Sequence, residues 1–580
     1  MPPLYKTLLF LLCCLCCISV SAQPSVNVKI YGIDGELETN VRLYLSIEQQ
    51  KDHPLLSEGR IHRLHKKAPQ EISNALQPYG YYRPKIETEL NQTDSEAWQA
   101  IYTIESGPQL RIAAIDLDVS NEMFSDVAFH PLIANLPLRQ GEGFTHINYE
   151  KSKANLAKLA AERGYFDARF IEHRVEIDLD AYEARITLHY DSGPRFHFGE
   201  VVLAQDVLES ELLQRYIPFE QGDPYDLNQV IELQQALNDS DYFQLVEVSP
   251  GEIEVDDRSV PISVILTPRK RHKYTLGLGY GTDTGARTKF GWEMPRINRL
   301  GHRFDSELNF SQIGYSATAH YRIPVFNPRT DQMVFSAGII NEETDTSIST
   351  IRTLGASLNR SRNRWRQTLS INYQQEEFEV ADDIGDSTLL MPGISWSRIW
   401  GSRRIFLILD GVRFDLSLRG ASDKFISDTN FSQATGSIKA IRSVSSRGRL
   451  IAHGKLGSTW TRTFHQLPSS VRFFAGGAQS VRGYAYESLG PRDADGEVEG
   501  GKHLMVGSLE YDHRIKGKWR VALFYDRGNA INATNDPLEE GAGFGIRWQS
   551  PVGPIRFDFA NAISRDDRPW RFHINIGPDL

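Results

Sequence analysis

The residues best suited to binding chemistry lie in a glycine-rich stretch, residues 476–484, which reads GGAQSVRGY and carries Arg482. Two later segments each place a carboxylate directly after an apolar residue: SLEY contains Glu510, and FYDRG contains Asp526. A guanidinium is planar and presents several donors, so it is suited to gripping carboxylates. Arg482 is therefore a candidate for an ion pair that fixes a conformation.

No pattern of an enzyme site accompanies this stretch. The sequence contains no HExxH, GxSxG or Walker motif, and its 16 histidines are scattered. Such motifs supply the metal ligands, nucleophile or phosphate cradle of the corresponding reactions. Alternating glycines at 277–281 and 541–545 do not open a helix, so we interpret them as thinned strand faces. We expect no enzyme activity, no cofactor and no metal.

Composition narrows the class of protein. The 580 residues carry 64 Lys and Arg against 74 Asp and Glu, a net charge of −10, and the mean hydropathy is −0.38. This hydropathy excludes a polytopic helical membrane protein, and 40% hydrophobic residues exclude a disordered chain. The acidic balance argues against nucleic-acid binding, because that binding depends on neutralising phosphates with Lys and Arg.

The first 22 residues have the pattern of a secretory signal peptide. Lys6 precedes an apolar run over Leu8–Ile18, and small residues lead to Ala22, after which we expect cleavage. The run is shorter than the roughly 20 apolar residues that a spanning helix needs. All four cysteines lie within residues 13–17. An exported chain would therefore have no disulfide, metal–thiolate site or cysteine nucleophile.

The chain up to residue 270 repeats one pattern three times. Each copy opens with a β-like run, continues with helical stretches, and reaches an aromatic pair that begins at Tyr81, Tyr165 or Tyr242. Successive pairs are 84 and 77 residues apart, and such a period is typical of an array of modules. Each unit reads β-α-α-β-β. The predicted boundaries are 23–108, 109–194 and 195–270.

The turn before each aromatic pair has its own pattern. Gly80 and Gly164 stand where a helix would end in the left-handed conformation that suits glycine, and the third copy has Asp241 there. We expect the aromatic pair that follows to start a strand and to bury a large apolar area.

From residue 271 to 580 the sequence consists of short alternating segments separated by turn residues. The last of them reads WRFHINI from Trp570 to Ile576, with apolar and polar side chains in strict alternation. A membrane-spanning β-strand needs only about 10 residues with alternate ones apolar, so mean hydropathy does not detect it. About 16 such segments fit the length of this region.

A soluble β-sandwich would show the same alternation, because it also has one apolar face per sheet. The export signal, the even segment count and tryptophans at segment ends favour a barrel whose polar face lines a wet lumen. Those tryptophans are Trp396, Trp400, Trp519, Trp548 and Trp570. The predicted fold is three α+β modules followed by an all-β transmembrane barrel of about 16 antiparallel strands.

These features resemble the BamA/TamA outer-membrane assembly superfamily over essentially the whole chain after the signal peptide. The three repeats resemble its periplasmic POTRA modules, and VRGY, SLEY and FYDRG resemble three of its barrel motifs in their usual order. The resemblance implies a loop lock that folds into the lumen. Its residues are Val481, Arg482, Gly483 and Tyr484. Carried over to this sequence, Arg482 would contact Asp526 and Glu510 on the barrel wall.

Three modules directly before the barrel resemble the TamA branch of the superfamily. That branch implies a non-enzymatic protein of the outer membrane that helps to insert and fold β-barrel clients, autotransporters in particular. It also implies a TamB-like partner anchored in the inner membrane. A general insertase like BamA, and a secretion or lipid-transport channel, remain open as alternatives.

The family mechanism implies a weakly paired seam between the first and last barrel strands. We expect these strands near residues 274–281 and 570–577. The candidate seam residues are Gly277, Gly279, Gly281, Phe572, Ile574 and Ile576. The glycines remove side chains from one face of the first strand, which favours a weak edge that a client strand could pair with. Cysteines at Gly277 and Ile574 are predicted to lock the seam.

Overall fold

The computed structural model describes residues 24–94, 96–253, 256–404, 407–550 and 553–576. The predicted signal peptide lies outside these residues. The chain forms two compact units: the first holds two modules and part of the third, and the second holds the rest of the third module and the barrel. Within the described ranges, no helix combines the length and apolar character needed to cross a membrane.

The first module packs helices on a three-stranded sheet. Its elements are β1 (Ser25–Tyr31), α1 (Gly35–Tyr44), α2 (Ser46–Gln49), α3 (Glu58–Leu76), β2 (Lys85–Asp94) and β3 (Ala97–Glu105). The central strand β3 runs parallel to β1 and antiparallel to β2. Alternate side chains of β3, such as Tyr102 and Ile104, are buried with Ile61, Ala68 and Ile72 of α3. This spacing in α3 is that of an amphipathic helix whose apolar stripe faces a core.

The next two modules repeat this arrangement, with the last strand of each module in the middle of its sheet. The second consists of β4 (Arg111–Val119), α4 (Asn121–Ser125), α5 (His130–Ala134), α6 (His146–Glu162), β5 (Arg169–Asp178) and β6 (Glu183–Asp191). The third consists of β7 (His197–Ala204), α7 (Ser210–Gln214), α8 (Leu227–Asp239), β8 (Phe243–Pro250) and β9 (Ser259–Pro268). The first two modules add a short helix to the predicted pair. The module boundaries at 23–108, 109–194 and 195–270 remain predictions from the sequence.

The three repeated turns share the expected backbone conformation. The φ angles of Gly80, Gly164 and Asp241 are +87°, +85° and +59°, all left-handed. The expectation that the aromatic pairs start strands is wrong for the first two modules, because β2 and β5 begin several residues after the pairs. Tyr165 instead packs against Phe129 of its own module, with ring centroids 5.9 Å apart. Tyr165 therefore fills the core of its module before the chain turns into the strand.

Sixteen strands form a closed barrel in which each strand pairs with its neighbours in the chain and the last pairs with the first. The strands are β10 (Lys273–Gly281), β11 (Gly285–Met294), β12 (Arg303–Ser311), β13 (Gly314–Pro324), β14 (Asp331–Glu343), β15 (Ser347–Arg362), β16 (Trp365–Val380), β17 (Asp383–Arg404), β18 (Leu407–Ala421), β19 (Phe431–Ser443), β20 (Gly448–Trp460), β21 (His503–Lys516), β22 (Trp519–Ile531), β23 (Glu539–Ser550), β24 (Gly553–Ala562) and β25 (Trp570–Ile576). Neighbouring strands are antiparallel, as in the register of β22 with β23. The predicted barrel and its strand number are confirmed.

The two faces of the barrel wall follow the predicted alternation. In β22, Phe524 and Asp526 are buried, whereas Leu523 and Tyr525 between them are exposed on the other face. A long loop, residues 461–502 between β20 and β21, packs against the polar face. This contact identifies the polar face as the one that lines the lumen. That loop carries the predicted lock residues into the lumen.

Candidate functional site: loop lock and seam

Arg482 is the centre of the loop lock. Its Nε and Nη2 donate to the two carboxylate oxygens of Asp526 at 2.7 and 2.8 Å, and its backbone N–H donates to Asp526 Oδ2 at 3.1 Å. Its Nη1 donates to Glu510 Oε2 at 2.8 Å. The guanidinium carbon lies 3.4 Å from the ring centroid of Phe524. The structure thus brings together Arg482 and both carboxylates that the resemblance assigned to it, in the bidentate geometry that arginine favours.

A second arginine completes the charge arrangement around the lock. Arg547 of β23 donates to Glu510 at 3.2 Å and lies 2.6 Å from Asp558 of β24. Asp558 also lies 3.7 Å from Arg482. Two arginines therefore share three carboxylates, of which Asp526 and Asp558 are buried and Glu510 is nearly so. The removal of one cation would leave buried negative charge uncompensated. No sequence motif identified Arg547 and Asp558. The only sequence feature that points to them is the alternation in their strands, which places their side chains on the inward face.

The lock arginine is strongly held in its charged form. Burial acts against the charge, but the hydrogen bond and charge of Asp526, followed by the charge of Glu510, raise the pKa of Arg482 above its ordinary value. A buried cation of this kind is stable only while its partners are present.

The neighbours of Arg482 fix the loop tip to the wall. Val481 is fully buried, and the hydroxyl of Tyr484 donates to Glu539 at 2.9 Å at the start of β23. Burial, helped by that carboxylate, raises the pKa of Tyr484 to about 12. Gly483 has a φ of +100°, and a Cβ there would lie 3.0 Å from the backbone of Ala562. Only glycine combines this conformation with so close an approach.

The base of the same loop has a second anchor that sequence reasoning missed. Glu376 of β16 is almost fully buried and accepts hydrogen bonds from the Ser469 hydroxyl at 2.7 Å and the Ser470 backbone N–H at 3.1 Å. Arg472 pairs with Asp383 at 2.8 Å. These partners are about 90 residues apart in the chain and belong to no recognisable motif, so only the tertiary structure reveals them. The loop is therefore clamped at its base and at its tip.

The seam between β10 and β25 is short in the described residues. Up to Ile576, the last described residue, the two strands pair only at Tyr280–Ile576 and Gly281–Asn575, whereas β10 pairs with β11 from Lys273 to Gly281. Near this point Arg287 of β11 donates to the Asn575 side chain at 3.0 Å. The backbone N–H of Thr282 donates to the carbonyl of Ile574 at 3.0 Å.

The candidate seam residues occupy both faces of these strands. In β10 the three glycines alternate with exposed apolar residues, which are Leu276, Leu278 and Tyr280. The glycines at 277, 279 and 281 therefore lie on the inward face. Phe572 lies on the outer face and stacks on Phe557 of β24, with ring centroids 6.2 Å apart. Ile574 and Ile576 follow at alternate positions of β25.

The loop lock and the seam meet inside the barrel. The backbone N–H of Gly483 donates to Nε2 of His573 on β25 at 3.1 Å, and that of Ala478 donates to Asp283, after β10, at 2.7 Å. The loop therefore contacts both sides of the seam. A cavity of about 550 Å³ lies beside it, lined by seam residues such as Gly281 and by loop residues such as Ser480.

Family models match both halves of this architecture. Residues 404–579 match the Omp85 superfamily domain, and residues 27–106 match the POTRA domain described as TamA domain 1. The POTRA match lies on the first module, and the Omp85 match covers the barrel wall around the lock.

Individual relatives agree with these models. The outer membrane protein assembly factor BamA of Neisseria meningitidis serogroup B is 20% identical over 586 residues, which span 88% of this chain and 72% of the relative. BamA of Nitratidesulfovibrio vulgaris is 28% identical over 141 residues, which span 22% of this chain and 18% of that protein. The crystal structure of BamA from Haemophilus ducreyi lacking POTRA domains 1–3 has a TM-score of 0.67 at 17% identity, covering 80% of this chain and 99% of that one. Similarity at this level shows the fold.

The comparisons also agree with the sequence on the class of protein: it is not an enzyme. With POTRA-like modules before a closed barrel of sixteen strands, this chain carries the Omp85 superfamily domain, is similar to BamA, and lies in the outer membrane with its modules in the periplasm.

Proposed function

We propose that the protein helps to insert and fold β-barrel clients, autotransporters in particular, in the outer membrane. The observation that carries this proposal is the short pairing of β10 with β25 among the described residues, beside a firmly held loop. A strand edge that lacks a partner offers backbone N–H and C=O groups to an incoming strand. Client strands would pair with this edge while the Arg482 cluster keeps the rest of the wall closed.

The periplasmic modules would receive clients and a partner before the barrel does. Each three-stranded sheet has its last strand in the centre, so the other two strands are its edges. An extended peptide can add to such an edge through backbone hydrogen bonds. We assign these edges to unfolded clients and to a TamB-like protein anchored in the inner membrane, since the first module matches a TamA-type POTRA domain.

Depletion of the protein in cells tests the proposal. Surface levels of an autotransporter should fall, while the general population of outer-membrane barrels stays near its normal level. A parallel loss of all barrels would favour a BamA-like general insertase instead. Unchanged autotransporter levels together with altered lipid asymmetry of the outer membrane would contradict the proposal and favour a lipid-transport channel.

A further inference from the structure

Arg398 of β17 lies on the outer face of the barrel. Its register partners are Trp365 of β16 and Phe414 of β18. Arg419, of opposite parity to Phe414 on β18, donates to the carbonyl of Ser470 in the lumenal loop. Because successive side chains of a strand point to opposite faces, Arg398 points away from the lumen.

Aromatic rings surround this arginine. Its guanidinium carbon lies 5.3 Å from the ring centroid of Trp365 and 4.7 Å from that of Trp400. The two indoles meet edge to face at 5.9 Å, and Phe414 closes the group at 6.2 Å from Trp365. Cation–π contacts of this kind hold the charge but leave its N–H donors without acceptors.

Arg398 has no counter-charge in the part of the chain that the structure describes. Its Nε is buried without a hydrogen-bond partner, and within the described part of the chain no carboxylate forms a salt bridge with it. The side chains of residues 402–409 are not described, but the sequence places no Asp or Glu among them. Arg352, another outward arginine, in contrast pairs with Glu377 at 2.7 Å.

The position of Arg398 along the strand matches the membrane boundary. Trp365 is the first residue of β16, and Trp519, the first residue of β22, stacks on Trp548 at 5.3 Å. Both strands begin at the end of the barrel where the chain enters it from the periplasmic modules. Rings of aromatic side chains mark the level of lipid head groups in outer-membrane barrels. A charge at that level costs far less than one at the bilayer midplane.

We propose that Arg398, with Trp365 and Trp400, binds the phosphate of an anionic glycerophospholipid in the periplasmic leaflet. A guanidinium binds phosphate oxygens through paired N–H donors, and at this face the membrane is the source of such an anion. The acyl chains would lie along exposed Leu369 and Ile371 of the outer face.

A second arginine extends the site. Arg360 of β15 is the register partner of Gln367 on β16, and Gln367 is the register partner of Trp396 on β17. Trp396 lies two residues before Arg398, so Arg360 and Arg398 share the outer face. The guanidinium carbon of Arg360 lies 5.2 Å from the ring centroid of Phe326, and its Nε is also buried without a partner. Asp331, the register partner of Arg360 on this face, is paired with Arg362 at 3.4 Å. Arg360 and Arg398 therefore remain as surplus positive charge, which favours an anionic lipid over a zwitterionic one.

Lipid binding to the purified full-length protein in detergent tests this site. Native mass spectrometry would follow the binding of phosphatidylglycerol to the wild type, Arg398→Gln, Arg398→Lys and the control Arg352→Gln. We expect Arg398→Gln to weaken the tightest binding event about tenfold, because it removes a charge-assisted contact. Arg398→Lys should weaken this binding event by about threefold, because lysine keeps the charge but cannot form the paired contacts. Arg352→Gln should stay within about twofold of the wild type, because Arg352 is already paired with Glu377.

Each alternative result would overturn the site. Binding by Arg398→Gln that equals the wild type, or an equal loss in Arg352→Gln, would show that Arg398 does not bind the lipid. Displacement of the lipid by millimolar inorganic phosphate would show a free-phosphate site instead. Heat-modifiable mobility on SDS gels identifies folded barrels. If Arg398→Gln does not fold, binding by Arg398→Lys that equals the wild type would overturn the site.

Discussion

The backbone N–H of Gly483 donates to Nε2 of His573 at 3.1 Å, so the tip of the loop lock is bonded directly to the last barrel strand. The accepting role of Nε2 places the imidazole proton on Nδ1, which points toward Asp283 at 3.8 Å. Asp283 follows β10 and accepts from the backbone N–H of Ala478. The loop thus joins the two strands of the seam from inside the barrel.

Replacement of His573 by alanine should loosen this connection without releasing the loop. A buried N–H would lose its acceptor, a change worth about 1–3 kcal/mol, while the Arg482 cluster remains intact. We expect more frequent opening events in planar-bilayer recordings than for the wild type. Arg571→Ala is the matched control, because Arg571 lies on the same strand and the same face but is exposed. Equal conductance of the two variants would show that His573 does not restrain the seam.

Replacement of Arg482 should have a larger effect. Arg482→Ala leaves Asp526 without its bidentate partner in a buried position, a loss of about 3–5 kcal/mol, and Arg482→Lys restores the charge but not the paired geometry. A cysteine placed at Gln479 reports on release of the loop through its reaction with a membrane-impermeant maleimide. We expect its labelling rate to be lowest in the otherwise wild-type protein, higher with Arg482→Lys and highest with Arg482→Ala.

A double-mutant cycle separates the lock from a general loss of stability. If Asp526 is the main partner, Asp526→Asn and Arg482→Ala together should increase labelling by less than the product of their single effects. Independent effects would indicate that the carboxylate does not hold the arginine. Arg413→Ala serves as the control, because Arg413 pairs with Asp415 at 2.8 Å away from the lock and is largely exposed.

The sequence predicts the barrel well because alternation is a local property. Apolar and polar side chains alternate in β22 and β25 whatever their partners are, so strand existence and inward parity can be read directly. The contact of Arg482 with Asp526 could be predicted because three motifs occur in the order known from the family. His573 could not be assigned in this way, because it is one inward polar residue among many and lies 90 residues after Gly483.

The register of the seam could not be predicted either. Hairpin turns fix the register of neighbouring strands, but no turn joins β10 to β25. The predicted cross-link between Gly277 and Ile574 is consequently wrong, because Ile574 lies opposite Thr282. Five residues of strand separate Thr282 from Gly277, about 17 Å.

Cysteines at Gly281 and Asn575 should lock the seam, because these residues are direct register partners. The pair at Gly277 and Ile574 is the control, since its separation far exceeds the roughly 7 Å between Cα atoms that a disulfide can bridge. Under oxidising conditions we expect a mobility shift for the first pair alone.

The locked protein then tests the role of the seam in cells. Autotransporter levels at the surface should drop to those of depleted cells, and a reducing agent should restore them. Normal client assembly by the fully oxidised Gly281–Asn575 variant would mean that seam opening is not required.

The periplasmic modules allow a prediction about pH. Arg163, at the end of α6, pairs with Asp126 at 2.9 Å and with Asp226 at 2.6 Å. Burial favours the neutral form of Asp126, but the hydrogen bonds from Arg163 and the Ala128 backbone outweigh it and lower the pKa of Asp126. Because the folded pKa lies below that of the unfolded chain, the stabilisation is present above the ordinary aspartate pKa and is lost as the pH falls through the folded value.

Asp126→Asn should therefore destabilise the second module at neutral pH by about 1–3 kcal/mol, since it removes one partner of a buried ion pair. Hydrogen exchange of β4 to β6 in the full-length protein measures this change. The difference from the wild type should begin to shrink below a pH of about 3.9, where the carboxyl of the unfolded wild-type chain begins to be protonated. It should vanish only when the pH falls below the lowered pKa of Asp126 in the folded protein. Glu150→Gln in the same module is the control, because Glu150 is itself largely exposed in its pair with Lys153, and such a pair contributes at most about 1 kcal/mol. A difference that grows on acidification would contradict the assignment of Asp126 as the charged partner.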